Sequence, residues 1–378
     1  MAYIPGSSYG DDEVIKERSV EEHIHGGTCR GTELDFSVNI NPLGMPEGCM
    51  EAAGKALLGV PSYPDTCHDE LIRELSLRNG GHHVILGNGS CELIYALCHY
   101  LGHRYPGYLA YTLVPTFTEY RYAVSASGGR NRFFYTGAGD DFALAGRIDE
   151  FIDMIKSSVS EGEPVKLVFL CNPNNPTGEL IKRDRIEKAA DELEGHGIIL
   201  AVDECFLRFN KDYEETTMTG LLDKHKNVVV LDAFTKFHAM PGLRLGYALS
   251  GDEDLLYGIR EGIQPWNVSD PACAAALCAL KDRDYAERTV KYVDEQRAAM
   301  TDELKGIGIR VIGDPSGPFI MIKGPSGLKG SLKEAGIDIR DCSDMMEDPE
   351  RDTGYYRIAV RTCKDNRILT EKIREILA

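Results

Sequence analysis

The chain has 378 residues, 43% of them hydrophobic and 27% charged, the balance of a soluble globular enzyme with a sizeable core. Its formal net charge of −18 argues against general affinity for nucleic acid or an anionic membrane surface, and leaves any site for a phosphorylated ligand to local arginines. Eleven scattered cysteines with no Cys-x-x-Cys pair suit reduced thiols in a cytoplasmic protein; they suggest neither a disulfide framework nor a zinc site, and the histidines show no metal spacing.

Residues 1–24 read as a polar arm with a helix around Val14–His23 and no apolar signal segment, and no apolar run in the chain approaches membrane-spanning length. His25-Gly26-Gly27 then precedes the extended stretch Leu34–Gly44. Paired glycines after a histidine let backbone approach an anion, and Asn39-Ile40-Asn41-Pro42 closes the stretch, although both are also ordinary turn chemistry. Pro46 opens a predicted helix to Leu58, and Cys67–Arg78 forms a second. Between them Ser62-Tyr63-Pro64-Asp65 is a turn, which in a dimer with sites at its interface would present Tyr63 to the neighbour's cofactor. Val84–Gly87 is a short strand. It runs through a glycine turn into a helix at Ser90-Cys91, whose free N–H groups and dipole make an anion cradle. The P-loop lysine and the third glycine of the dinucleotide fingerprint are missing, which counts against both.

Strand Tyr108–Val114 leads into Pro115–Tyr120, where Phe117 can stack on a flat ring or fill core. Strand Asn131–Tyr135, helix Arg147–Ser158, strand Val165–Cys171, helix Lys182–Glu194 and strands Gly197–Val202 and Asn227–Leu231 follow. Such alternation predicts an α/β fold, a mainly parallel sheet sandwiched by helices, with ligands outside the strand carboxyl ends. Helices Pro271–Leu280 and Asp282–Leu304 and a strand-helix-strand-helix tail from Ile309 predict a smaller α+β domain. The expected division is a large domain over 45–264 and a small one made of 1–44 with 265–378.

The chemistry gathers at those strand ends. Cys171-Asn172-Pro173-Asn174-Asn175-Pro176-Thr177-Gly178 follows one buried run, and Asn175 can donate an amide hydrogen bond to a phenolate. Asp203 closes the next apolar run, where a carboxylate is costly unless something positive meets it: a pyridinium nitrogen, an arginine, or a helix start to cap. After the third run comes Thr235-Lys236-Phe237, then Pro241-Gly242-Leu243-Arg244. A hydroxyl beside the lysine and an arginine eight residues on can hold an amine and a phosphate together. Burial beside other cations favours the neutral, nucleophilic amine, as an aldehyde cofactor with a phosphate tail requires. Lys236 thus reads as the Schiff-base lysine of a pyridoxal 5'-phosphate enzyme, with Asp203 keeping the ring nitrogen protonated.

Together these segments resemble the fold-type I pyridoxal phosphate enzymes, the aspartate aminotransferase superfamily, over nearly the whole chain. Within it they are most similar to the threonine-phosphate decarboxylase branch, near the histidinol-phosphate aminotransferases. The narrower features are His25-Gly26-Gly27 before Asp35–Gly44, Pro265-Trp266-Asn267-Val268, Phe206 where related aminotransferases usually have tyrosine, and Arg361. The resemblance implies that Lys236 and Asp203 are catalytic, that Asn175 meets the phenolate and that Phe117 stacks on the ring. Backbone at Ser90 and Cys91, the Thr235 hydroxyl, Arg244 and the partner subunit's Tyr63 would hold the cofactor phosphate. His25, Gly26, Asn39, Asn175, Arg340 and Arg357 would bind substrate, with Arg357 on the α-carboxylate. Ala233 stands where the superfamily often supplies a phosphate-binding hydroxyl, so cofactor affinity would lean on Arg244 and Thr235. The implied reaction is decarboxylation of O-phospho-L-threonine to aminopropanol phosphate in a cytoplasmic homodimer. An aminotransferase acting on histidinol phosphate or an aromatic amino acid shares every cofactor residue. A ligand sensor without turnover would carry an added DNA-binding domain, for which neither terminus has room or charge.

Overall fold

The computed structural model describes residues 26–27, 33–346 and 353–378; the expected helix around Val14–His23, and His25 itself, lie outside the described residues. Thirteen strands are described: β1 (Leu34–Asp35), β2 (His83–Gly87), β3 (Leu109–Val114), β4 (Arg130–Tyr135), β5 (Val165–Cys171), β6 (Ile199–Asp203), β7 (Val228–Ala233), β8 (Gly246–Ser250), β9 (Arg310–Val311), β10 (Phe319–Lys323), β11 (Ile337–Asp338), β12 (Arg340–Asp341) and β13 (Tyr355–Ala359). Seven form one sheet in the order β2-β8-β7-β6-β5-β3-β4. From β7 to β4 every pairing is parallel, and only β8 runs against its neighbours. The mainly parallel sheet expected from the alternating pattern is what forms.

Side-chain alternation along these strands fills two apolar layers. Val228 and Val230 of β7 join a layer with the helices Ile148–Ser160, Arg183–Glu194 and Asp270–Ala279, whereas Val229 and Leu231 face the helices Ser90–Arg104, Glu119–Ala126 and Glu253–Glu261. Both faces are therefore dry, which explains why the strands read as continuous apolar runs. A third core gathers Phe36, Phe206, Phe209 and Phe237 with the helices Tyr285–Gly306 and Cys363–Leu377 and a four-stranded antiparallel sheet, β12-β13-β10-β9. The early strand β1 pairs with β11, so residues just before the large sheet attach to the C-terminal part of the chain.

Two helices begin later than expected. The helix after Pro46 starts at Cys49 because Gly48 takes a left-handed conformation (φ 78°), and the one expected at Cys67 starts at Asp69 because His68 does the same (φ 50°). Strand β8 and the helix Glu253–Glu261 had no counterpart in the sequence reading. Among the described residues no helix is long and apolar enough to cross a membrane.

Candidate active site

A cavity of about 430 Å³ opens where β5, β6 and β7 end. It is lined by Gly26, Asn39, Ser90, Cys91, Phe117, Asn175, Asp203, Thr235, Lys236, Arg244, Arg340 and Arg357, twelve of the fourteen positions expected from sequence. Tyr63 is elsewhere on this chain: it is 79% exposed and stacks on Trp266 with ring centroids 4.6 Å apart. His25 falls outside the described residues.

Lys236 sits in the turn after β7, anchored through its carbonyl, which accepts from Asn41 N at 3.1 Å. Burial, then the nearby charge of Arg357 and more weakly of Arg244, lowers its ammonium pKa, so the neutral amine is favoured there. Asp203, at the end of β6, accepts from Tyr120 Oη at 2.7 Å and from Cys205 N at 3.0 Å. Both donors are neutral, and burial still raises the pKa of its carboxyl despite them. A cationic N–H opposite would reverse that direction. Tyr120, held by stacking on Phe169 at 4.6 Å, was missed in the sequence although it lies three residues after Phe117.

The helix Ser90–Arg104 points its amino end at the cavity. Its preceding residue, Gly89, has φ 82°, and a Cβ there would come within 2.5 Å of Arg244 Nη2. A Cβ on Gly246, where β8 starts, would come within 2.4 Å of Ser90 N. Both glycines thus keep a narrow space in which backbone N–H groups, the Thr235 hydroxyl and the Arg244 guanidinium converge. That donor set fits a phosphate dianion, and a neutral amine, an acceptor-rich buried carboxylate and a stacking ring above it fit the rest of a pyridoxal phosphate.

The opposite wall is cationic. Arg340 and Arg357 are direct cross-strand partners on β12 and β13, 2% and 6% exposed, and like charges so placed repel. Burial, and Arg340 among the nearby charges, bring the Arg357 pKa down to about 10. Arg357 donates to Asn175 Oδ1 and, at 2.7 Å, to the Ser37 carbonyl; Asn39, with its amide oxygen turned inward, accepts from Nη1 and Nε at 3.2 and 3.1 Å. With Oδ1 so used, Nδ2 is the end of Asn175 left for a phenolate oxygen. Arg340 donates to both carboxylate oxygens of Asp344, at 2.9 and 2.7 Å. Arg361 lies away from the cavity, where it donates to the Asp35 carbonyl at 3.0 Å and pairs with Asp365.

The cavity also takes in Ser37, Val38, Glu119, Cys171, Cys205, Phe206, Pro241 and Met345. Ser37, Glu119 and Cys205 each stand two residues from a position read correctly, Asn39, Phe117 and Asp203, so the strand-end neighbourhood was the available signal. Nothing local marks Met345.

This constellation on this sheet defines an enzyme that works through a pyridoxal phosphate cofactor. The chain belongs to the aminotransferase class I and II family, whose model matches residues 32–373, and pyridoxal 5'-phosphate is its cofactor. It is 34% identical over 344 residues to a Caldanaerobacter subterraneus subsp. tengcongensis protein provisionally named a threonine-phosphate decarboxylase, covering 89% of this chain and 88% of that one. Threonine-phosphate decarboxylase of Salmonella typhimurium is 30% identical, over 91% of each chain. Among solved structures, histidinol-phosphate aminotransferase from Clostridium acetobutylicum superposes with a TM-score of 0.80 at 27% identity, covering 91% of this chain and 98% of that one.

Proposed function

We propose that the chain decarboxylates O-phospho-L-threonine to (R)-1-aminopropan-2-yl phosphate and carbon dioxide, a step of corrinoid (cobalamin) synthesis. The observation that carries this reading is the facing pair Arg340 and Arg357 on one wall, across from Lys236. Two adjacent buried guanidinium groups suit a small substrate with two anionic ends, a carboxylate and a phosphate, and the similarity to threonine-phosphate decarboxylases points the same way.

The cofactor, when bound, supplies a protonated ring that takes up the electron pair left at Cα. Asp203 holds the ring proton through its carboxylate. Arg357, immobilised by Asn175, Asn39 and the Ser37 carbonyl, would bind the α-carboxylate and set the direction of the bond to be broken. Arg340 exchanges Asp344 for the substrate phosphate. Carbon dioxide leaves, and Lys236 Nζ, having taken a proton from the incoming substrate ammonium, would be placed to deliver it to Cα in its stead, which a lowered pKa eases.

We extend the proposal to the assembly. Tyr63 and Trp266 stack on each other in the open, and Met50, Leu57, Leu58 and Val60, earlier in the segment that carries Tyr63, are exposed too. Covering such a face in a homodimer would bring Tyr63 to the partner's cofactor phosphate. Residues 45–264 would form the cofactor domain, and 1–44 with 265–378 the smaller one. Ten free cysteines among the described residues suit a reducing cytoplasm.

A second reading, histidinol-phosphate aminotransferase, is favoured by the likeness to the Clostridium enzyme. Purified protein given phosphothreonine should release carbon dioxide stoichiometrically. Glutamate formation from histidinol phosphate plus 2-oxoglutarate, without carbon dioxide from phosphothreonine, would replace the first reading by the second.

A further inference from the structure

At the amino ends of the parallel strands, away from the cavity, His225 precedes β7 and packs against the helix Arg183–Glu194. Its ring is fully buried, yet neither ring nitrogen has a hydrogen-bond partner among the described residues. Both face carboxylates. Nε2 is 3.6 Å from Glu187 Oε1, and Nδ1 is 3.7 Å from Asp191 Oδ1 and 4.0 Å from Glu194 Oε2. An imidazole always carries an N–H, and carboxylates held just beyond hydrogen-bond reach of a buried one satisfy it less well than a made bond would.

The spacing leaves room for an atom in between. One ligand atom from each of Glu187, Asp191 and His225 lies within 4.8 Å of the others. Ligands about 2.0–2.2 Å from a tetrahedral ion stand roughly 3.3–3.6 Å apart, so the carboxylate side chains must close in by up to roughly 1.5 Å to complete the set. Glu187 and Asp191 are one helical turn apart, which fixes two ligands on one face. The sequence hid the group because His225 is 34 positions beyond Asp191.

We propose that Glu187, Asp191 and one ring nitrogen of His225 form a three-ligand site for a divalent transition-metal ion of the Zn²⁺ type. Water completes the tetrahedron, and Glu194 accepts the N–H of the other ring nitrogen, an arrangement that orients metal-bound histidines generally. Lys224 holds the place of the cation until then: its Nζ is 2.7 Å from Glu187 Oε1 and 3.6 Å from Asp191 Oδ2, on a side chain exposed enough to swing out. The bound ion clamps the helix to the segment that leads into β7, so its effect falls on stability and not on turnover.

The test is Zn²⁺ binding to the holoenzyme, by competition with a chromophoric chelator and by thermal unfolding. Eleven cysteines also attract zinc, so the readout is the difference between wild type and the Glu187→Gln/Asp191→Asn double variant, whose changes lie at the surface. Wild type should bind one more equivalent and gain thermal stability with Zn²⁺, the double variant should lose both, and catalytic activity should not change. Lys224→Ala should tighten binding about fivefold, the worth of an exposed ion pair. Equal stoichiometry in wild type and double variant, or unchanged affinity in Lys224→Ala, overturns the proposal.

Discussion

Asp203 and Asp232 are buried on adjacent strands, one at the end of β6 and the other near the end of β7, and their surroundings differ in one respect. Asp232 is complete. It accepts from Arg208 Nε at 2.8 Å, from Tyr247 Oη at 2.6 Å and from Ala233 N at 2.7 Å, and Arg208 also donates to Tyr247. Asp203 has the hydrogen bonds and, among the described residues, no cation paired with it, and it faces the cavity. A buried carboxylate supplied with its counter-charge holds the fold together; one left without it marks where a cationic ligand atom belongs.

The largest effect should come from the lysine that follows both carboxylates in sequence. Lys236→Ala should lower turnover by at least about 10³-fold, within the range for loss of a proton-transferring group, and abolish the visible absorbance of the bound cofactor. The two aspartates should then separate cleanly. Asp203→Asn should cost about 10²–10³-fold in kcat with little change in unfolding free energy, since the amide oxygen can still accept from Cys205 N while its NH2 donates to the Tyr120 hydroxyl. Asp232→Asn should instead cost about 1–3 kcal/mol of stability, because Arg208, 25% exposed and still donating to Tyr247, loses its counter-charge, while the folded fraction stays active. If Asp232→Asn proved the catalytically damaged one, the contrast would be reversed. A smaller change sharpens the phosphate side: Gly89→Ala, strained by a positive φ and crowded against Arg244, should weaken cofactor affinity about tenfold without touching the aspartates.

The smallest effect concerns pH. Burial, and then Arg208, pushes the His238 pKa down from 6.5 to about 3, so the neutral ring's contribution is present above pH 6.5 and lost as pH falls toward 3. Glu204, pushed up to about 7 by burial, acts with opposite sign, removing stability as pH rises from 4.5 to 7. The two oppose each other between pH 4.5 and 6.5, and below 4.5 His238 acts alone. His238→Phe, placed among Phe234, Phe237 and Tyr285, should therefore flatten the acid limb of stability below pH 4.5, as read by denaturant unfolding at several pH values.

The parallel sheet and its chemistry were legible because β5, β6 and β7 are mostly apolar, Lys166 and Asp232 apart, and each meets a polar residue just where it emerges: Asn175 beyond Cys171, Asp203, and Lys236 beyond Ala233. Strand β8 was not, because Gly246 looks like punctuation after Arg244; only the 2.4 Å approach to Ser90 shows why a strand must start on a residue without a Cβ. The arginine pair was legible as two residues and not as a pair. Nothing in the intervening sequence announces that β12 and β13 place positions 340 and 357 side by side. The network around Asp232 was hidden for the same reason, since Arg208, Asp232 and Tyr247 meet only through the packing of three segments.

That side-by-side placement turns the small sheet into a ruler. Directly opposed residues on antiparallel strands stand about 4.5–5.5 Å apart, a length set by the backbone ladder and not by loops. The guanidinium ends are anchored as well, Arg357 by Asn175 and the Ser37 carbonyl and Arg340 by Asp344, so a ligand with more widely spaced anionic ends would have to pull one of them off its anchor. Any lineage or designer seeking a longer reach between the two anionic ends would have to loosen one of those anchors or relocate an arginine.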